Sequence, residues 1–235
     1  MHEVVVDVPP VNALPIQAWF DLAAAIRSVG DNPESRCCIL RAEGRGFNAG
    51  VDIKELQREG HAALVRVNRG CFEAFAAVYE CAVPVVSAVH GFCLGGGIGL
   101  VGNSDAIVAS DDATFGLPEV ERGALGAATH LARLVPPLKL RAMVLTAATA
   151  TAQELHAFGS VLRVVPRQEL VAAALEVARD IASKPPAVVR AAKECLNGID
   201  PVDPRRSYRF EQGFTFELTL AGEGGRARDS FVDDD

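Results

Sequence analysis

The sequence predicts an α/β protein with strands paired in parallel, and three observations carry that expectation. Apolar runs of strand length alternate with segments of helical period through the first half of the chain, the pattern of strands joined by right-handed helical crossovers. Glycine-rich turns follow two of those apolar runs. From Thr129 onward the chain reads as mostly helical.

Taken in order, Val4–Val8 alternates weakly and reads as a strand, ended by Pro9 and Pro10. Trp19, Leu22, Ile26 and Val29 recur at helical spacing, which predicts an amphipathic helix over Gln17–Val29. Arg36–Ala42 reads as a second strand with Cys38, Ile39 and Leu40 as its buried run, and Gly44–Gly50 as a glycine-rich turn. A short helix is predicted near Asp52–Arg58 and a longer one over His61–Cys81. Pro84–Val89 is an apolar strand opened by proline, Gly91–Gly102 a glycine-rich stretch entering a helix, and Ala106–Ala109 the next strand. Leu170, Ala174, Val177 and Ile181 form one apolar stripe. Lys184–Pro185–Pro186 is the boundary the sequence offers, dividing a core (1–184) from a C-terminal helical segment (185–235) with helices over Ala187–Asn197 and Asp203–Leu220. The Asp233–Asp235 tail is expected to fray.

Composition narrows the function classes. The 235 residues suit one large domain, or one domain with a small appendage, and 49% hydrophobic against 23% charged residues suits a full core. A net charge of −7 argues against a nucleic-acid surface. The apolar runs are interrupted too often to span a membrane, and Met1-His2-Glu3 lacks the basic start of a signal peptide, so a cytoplasmic protein is expected. The six cysteines include no C-x-x-C pair and stand near no histidine cluster, so no metal site is expected and they read as reduced core thiols. Cys93, beside glycines, is the one candidate nucleophile, and no base stands out beside it.

Two turns carry the chemistry. The first is Gly44-Arg-Gly-Phe-Asn-Ala-Gly-Val-Asp-Ile and the second Gly91-Phe-Cys-Leu-Gly-Gly-Gly-Ile-Gly-Leu. Glycine lets a ligand approach backbone N–H groups closely, and the second turn opens a helix, where unpaired amides favour negative charge. Together the turns could aim one N–H each at a shared oxygen and hold an enolate or tetrahedral oxyanion; the plainer alternative is two tight connections. Gly97-Ile-Gly99-Leu-Val-Gly102 matches a dinucleotide fingerprint, but Asp111 and Asp112 come too early for the acid that motif needs. No G-x-S-x-G elbow exists to support a serine hydrolase. Downstream, Pro118 fixes the approach of Glu119, and Gly116 and Gly123 bracket a compact turn. A carboxylate among apolar neighbours has a raised pKa and exchanges protons near neutrality. Glu121 shares that work or pairs with Arg122.

These stretches, with Pro10-Val-Asn12-Ala13-Leu14 before them and Glu211-Gln-Gly-Phe-Thr-Phe-Glu217 after them, resemble the crotonase, or enoyl-CoA hydratase, superfamily over nearly the whole chain. The resemblance implies a spiral of ββα units with a C-terminal helical oligomerisation segment, assembled as a homotrimer or dimer of trimers. It implies an acyl-CoA substrate and no cofactor beyond the coenzyme A moiety. The Ala49 and Gly96 N–H groups would form the oxyanion hole, and the turn of Phe47, Asn48, Val51, Asp52 and Ile53 would cradle coenzyme A. Hydratases of this family carry two catalytic glutamates; Glu119 matches the second, and the first falls at Gly99, which puts two-carboxylate hydration in doubt and is expected to open space for a bulkier acyl group. Gly46-Phe-Asn-Ala-Gly-Val-Asp, Gly99-Leu-Val-Gly-Asn-Ser-Asp, Leu117-Pro-Glu-Val-Glu-Arg-Gly-Ala and Glu211-Gln-Gly-Phe-Thr-Phe-Glu-Leu are similar to the branch of ring-opening CoA hydrolases of bacterial steroid catabolism.

The branch implies hydrolytic, retro-Claisen cleavage of a C–C bond in a fused-ring keto thioester, with Glu119 as base and Glu121 in support. The rivals are an enoyl-CoA hydratase or isomerase using one glutamate, and a catalytically silent acyl-CoA-binding subunit. His90 and His130 are candidates to orient water, against structural hydrogen bonding. Arg41, Arg45 and Lys54 flank the first turn as candidates for the coenzyme A phosphates, against solvated surface charge.

Overall fold

A computed structural model describes residues 1–59 and 61–223; the Asp233–Asp235 tail lies outside the described residues. The long sheet is made of β1 (His2–Val6), β2 (Cys38–Ala42), β3 (Val85–Val89), β5 (Ala106–Ser110) and β8 (Arg163–Val165), in the order β1-β2-β3-β5-β8. Every pairing in it is parallel. β3 is buried along its whole length, as expected of a strand covered on both faces. The period of two sorts the side chains between two cores. Cys38, Leu40, Val85 and Val89 face the larger one, under α1 (Ile16–Asp31) and α3 (His61–Glu80). Ile39, Val86, Ala88 and Val108 face Leu170, Ala174 and Val177 of α8 (Leu170–Ala182). The stripe expected from sequence is therefore the face that seals one side of the sheet.

A second, smaller sheet stands beside the first. β4 (Phe92–Leu94) pairs in parallel with β6 (Thr114–Gly116), and β6 pairs antiparallel with β7 (Thr149–Thr151). Twice the chain runs from a strand of the long sheet through a short strand of the small sheet into a helical turn: β3, β4 and α4 (Gly96–Val101), then β5, β6 and the 3₁₀ turn Pro118–Arg122. This repeat is the ββα spiral, and it delivers the ends of β4 and β6 to one place: the Gly95 N–H donates to the Gly116 carbonyl at 3.1 Å. The loop after β2 joins them through a parallel bridge between Asn48 and Cys93.

The stretch beyond Thr129 is mostly helical, as expected, but it also holds two short strands. α5 (Ala128–Leu131), α6 (Pro137–Thr146) and α7 (Ala152–Ala157) are helices, but β7 and β8 lie in that stretch as well. Three-residue strands carry too few side chains to show a period, so their pattern gave no signal. α9 (Pro186–Gly198) and α10 (Pro204–Leu220) follow the proline boundary. Asp203 caps α10, its Oδ1 accepting from the N–H groups of Arg205 at 3.0 Å and Arg206 at 3.1 Å. α10 lies against α3 and α5. Among the described residues no helix is long and apolar enough to cross a membrane.

Candidate active site

The loop after β2 has almost no ladder to hold it, and two buried asparagines take that role. Asn12 accepts from the Val8 N–H at 2.7 Å and donates to the Glu43 and Gly46 carbonyls at 2.8 and 2.9 Å. Asn48 donates to the Asn12 carbonyl at 2.7 Å and accepts from the Gly50 N–H at 2.8 Å. Its backbone pairs with β4, the Leu94 N–H donating to the Asn48 carbonyl at 2.8 Å. The two glycine turns are thereby brought into contact. A Cβ built on Gly50 would stand 3.4 Å from the Gly96 nitrogen.

Ala49 and Gly96 face one cavity of about 110 Å³. Gly96 is the first residue of α4, and among the described residues no backbone carbonyl accepts from its N–H. The Ala49 N–H reaches the Asn12 carbonyl at 3.4 Å, beyond the usual 2.7–3.2 Å of an N–H···O bond, so it is weakly held. Beneath Gly96 lies the Trp19 ring, which a Cβ there would meet at 2.5 Å. Trp19 is itself fixed by donation from its indole N–H to the Leu14 carbonyl at 3.2 Å.

Glu119 enters the same cavity from the 3₁₀ turn. Its Oε1 lies directly over Gly95, where a Cβ would approach to 2.7 Å, and Gly95 also holds φ +56°. Glycine is needed there on both counts. Its Oε2 is closed off from solvent and has no hydrogen-bond partner among the described residues. Burial pushes its pKa up to about 8, against the opposing pull of Arg122. Leu56, Leu64, Val67, Cys71 and Phe75 also line this cavity and make it largely apolar. A second cavity of about 410 Å³ shares Glu119, Leu125 and Gly126 with the first and is walled by α10. There Glu211 accepts from the Ala128 and Thr129 N–H groups at 2.6 and 3.0 Å, capping α5.

Several expected residues stand elsewhere. Glu121 is exposed and lines neither cavity, so it is not brought to Glu119. Val51 and Ile53 reach the first cavity, whereas the Phe47 and Asn48 side chains are wholly buried beneath the turn. The Asp52 Oδ1 is used at the start of α2 (Ile53–Glu59), accepting from the Lys54 and Glu55 N–H groups at 2.9 and 3.2 Å. Arg41 is held between Glu3, at 2.7 Å, and Glu43, and is not directed at the cavity. Arg45 and Lys54 are exposed. His90 is buried with Nε2 at 3.2 Å from the Gly44 carbonyl, and burial first, then Arg167, lower its pKa. Cys93 is fully buried, which raises its thiol well above the ordinary range and suits a core residue.

One expectation is overturned outright. Gly99 does not open space: a Cβ there would strike the Phe75 ring at 2.2 Å, so the aromatic side chain already occupies the position. His130 lines neither of these two cavities. It is 1% exposed, packed 5.0 Å from the Phe75 and Tyr208 ring centres, with neither ring nitrogen hydrogen-bonded among the described residues. Residues the sequence reading missed are Asn12, Phe75 and Tyr208. Phe75 continues the apolar face of α3, so only its distance from Gly99 in space gives it meaning.

Comparison with known proteins gives a consistent picture. Residues 2–215 match the family model described as enoyl-CoA hydratase/isomerase. A Mycobacterium tuberculosis protein named (7aS)-7a-methyl-1,5-dioxo-2,3,5,6,7,7a-hexahydro-1H-indene-carboxyl-CoA hydrolase is 67% identical, over 97% of this chain and 93% of its own. The Rhodococcus jostii protein of the same name is 64% identical, over 98% and 90%. A crystal structure of an enoyl-CoA hydratase/isomerase from Xanthobacter autotrophicus Py2 superposes with a TM-score of 0.88 at 26% identity, covering 98% of this chain and 87% of that one.

Two outcomes test this geometry. Gly99→Ala should lower unfolding stability by about 1–3 kcal/mol in urea titrations, and Phe75→Leu in the same chain should recover part of the loss; additive losses would show that the ring does not fill the site. His130 has its pKa lowered from the ordinary 6.5 to about 3 by burial and Arg133. Its neutral form is favoured by folding, so stability present above pH 6.5 is lost as pH falls toward 3. His130→Phe should lose less melting temperature between pH 7 and pH 4 than the parent protein.

Proposed function

The chain belongs to the enoyl-CoA hydratase/isomerase family, and on that premise we propose that it hydrolyses a ring C–C bond in a bicyclic, ketone-bearing acyl-CoA thioester of steroid breakdown. The observation that carries this reading is one carboxylate, Glu119, with its Oε2 closed off from solvent, in an apolar cavity that Ala49 and Gly96 also line. A second carboxylate at 99 has no room, because Phe75 stands there. Two-acid addition of water across a double bond is therefore not the chemistry this cavity favours.

The substrate named for the two relatives explains what one acid can do. Ketones stand at C1 and C5, and the saturated positions leave C3a and C4 as the remaining double bond, conjugated with C5. Glu119 takes a proton from water as its oxygen bonds to C1. The tetrahedral adduct collapses, the C1–C7a bond breaks, and C1 leaves as a carboxylic acid. The electron pair from C7a enters the conjugated system and ends on oxygen as an enolate. With the thioester joined to that system, the Ala49 and Gly96 N–H groups receive the charge on its oxygen, and Glu119 returns its proton to carbon. The thioester is the electron sink, so coenzyme A is the one carrier the step requires. Preorganised donors of this kind contribute about 3–4 kcal/mol each, and a positioned base ~10²–10⁴-fold.

The finer parts of the reading rest on separate supports. A homo-oligomer, as a trimer or dimer of trimers built through the C-terminal helices, is supported by the exposed Leu138 and Leu145 of α6 and Phe210, Phe214 and Leu220 of α10. Coenzyme A is proposed to lie along the turn of Val51 and Ile53, and the protein to work in the cytoplasm on a soluble thioester.

Glu119→Gln should reduce turnover ~10²–10⁴-fold; near-normal turnover would remove Glu119 from the mechanism. Because the base must be ionised and burial raises it to about 8, kcat/KM should climb with pH and level off above about 8. That rising limb should vanish in Glu119→Gln. Turnover of the bicyclic thioester in ¹⁸O water, read by mass spectrometry, should label a new carboxylate; label in a β-hydroxyl instead would mean hydration.

A further inference from the structure

Cleavage by this route puts negative charge on two oxygens in turn. The first is the ring ketone oxygen, when water adds. The second is the thioester oxygen, when the C–C bond breaks. They belong to different parts of the acyl group, so one pair of amides cannot serve both. The Ala49 and Gly96 amides are committed to the thioester, and the adduct needs a donor of its own.

α3 meets the first cavity along Leu64, Val67, Asn68, Cys71 and Phe75, a single helical face on which Asn68 is the one amide. The Asn68 Nδ2 is buried and has no hydrogen-bond partner among the described residues. Buried side-chain donors are nearly always paired, so an unpaired one beside a cavity requires a reason. In the same cavity Glu119 Oε2 is an unpaired acceptor. The residues that carry this unpaired donor and this unpaired acceptor, Asn68 and Glu119, both line the one apolar chamber. Cys71, one turn beyond Asn68 on the same face, lines the same chamber, and burial first, then the charge of Glu119, raises its thiol. Asn68 is also anchored, since its backbone carbonyl accepts from the Gln212 side chain of α10 at 2.8 Å. The amide is held in place while its N–H group is left unused.

We propose that Asn68 is a catalytic residue that donates from Nδ2 to the ring ketone oxygen, forming a second oxyanion site for the adduct made when Glu119 activates water. This rests on the C–C hydrolase reading above. In the step, the water oxygen bonds to the ketone carbon, its proton passes to Glu119, and the carbonyl π pair moves to the oxygen that Asn68 holds. That pair then re-forms the C=O bond as the C–C bond breaks. A neutral amide suits the task, because it stabilises the passing charge and still releases the carboxylate product.

The test uses Asn68→Leu and Asn68→Asp, the second keeping the side chain's shape while removing its N–H groups. With the bicyclic diketo thioester as substrate, kcat should fall ~10²–10³-fold in both, with KM changed only a few-fold. The affinity for the matching thioester with a methylene in place of the ring ketone should stay within about twofold, since Asn68 has nothing to donate to. An Asn68 that merely supports the fold would weaken both ligands and lower the melting temperature. Wild-type ring opening together with undiminished kcat in Asn68→Asp overturns this inference and leaves the hydrolase reading standing. Absence of ring opening in the wild-type protein overturns the hydrolase reading itself.

Discussion

The site depends on two loops being held edge to edge where regular strand pairing has run out. A turn rich in glycine exposes many backbone donors and acceptors, and each must find a partner or water. Asparagine answers this with a donor and an acceptor on one short side chain, matching two backbone groups at once. Asn48 does so between the Asn12 carbonyl and the Gly50 N–H, and Asn12 does so across Val8, Glu43 and Gly46. Their bonds consume the neighbouring backbone groups and leave the Ala49 and Gly96 amides weakly held or unpaired. The amides are then oriented before any ligand arrives, which is the condition under which such donors act on a transition state without reorganising.

The two half-buried glutamates near α10 show how environment assigns different work to one side chain. Burial raises the pKa of both Glu119 and Glu211. Glu211 recovers much of that loss by accepting from the Ala128 and Thr129 N–H groups and the Thr129 hydroxyl. Its lone pairs are used, and it ties α10 to α5. The Glu119 Oε2 has no such partner among the described residues, and its apolar surroundings keep its proton affinity high. Sequence separates them only in part: Glu119 follows an apolar stretch and a proline, and Glu211 a basic stretch. What separates them is that one meets a helix start and the other a cavity.

How far the sequence could be read follows from how local each signal is. The first four strands of the long sheet, β1, β2, β3 and β5, and helices α1, α3 and α8 announce themselves through apolar runs and periods spanning five residues or more. Both glycine turns and Glu119 were legible because turn chemistry is local, and because the resemblance fixed their order. β4, β6, β7 and β8, at three residues each, carry no period. The fates of Arg41, Asp52 and Glu121 depend on neighbours in space: two glutamates, the first turn of a helix, and the outward side of a 3₁₀ turn. Charge type near a motif does not reveal which of these a side chain will meet. Asn12 was visible as part of a matching stretch, but its structural role becomes apparent only when its three bonds are seen.

Gly99 shows why an absence in sequence cannot be read as an absence in space. Protein interiors are close-packed, so a side chain lost from one element is replaced by volume from another. Here that volume is Phe75, whose ring lies where a Cβ at 99 would stand. The same ring meets Trp19 edge-on at 5.8 Å, His130 at 5.0 Å and Tyr208 at 5.2 Å. This aromatic floor links the α4 turn that bears Gly96 to α3, α5 and α10, and it is rigid because aromatic rings pack in few orientations. Glycine at 99 and phenylalanine at 75 are therefore one choice rather than two. Together they remove the position a second acid would need and put an aromatic ring in the lining of the cavity that Glu119 enters. The ring that fills the place of a second acid thus also lines the cavity in which burial raises the pKa of the remaining glutamate.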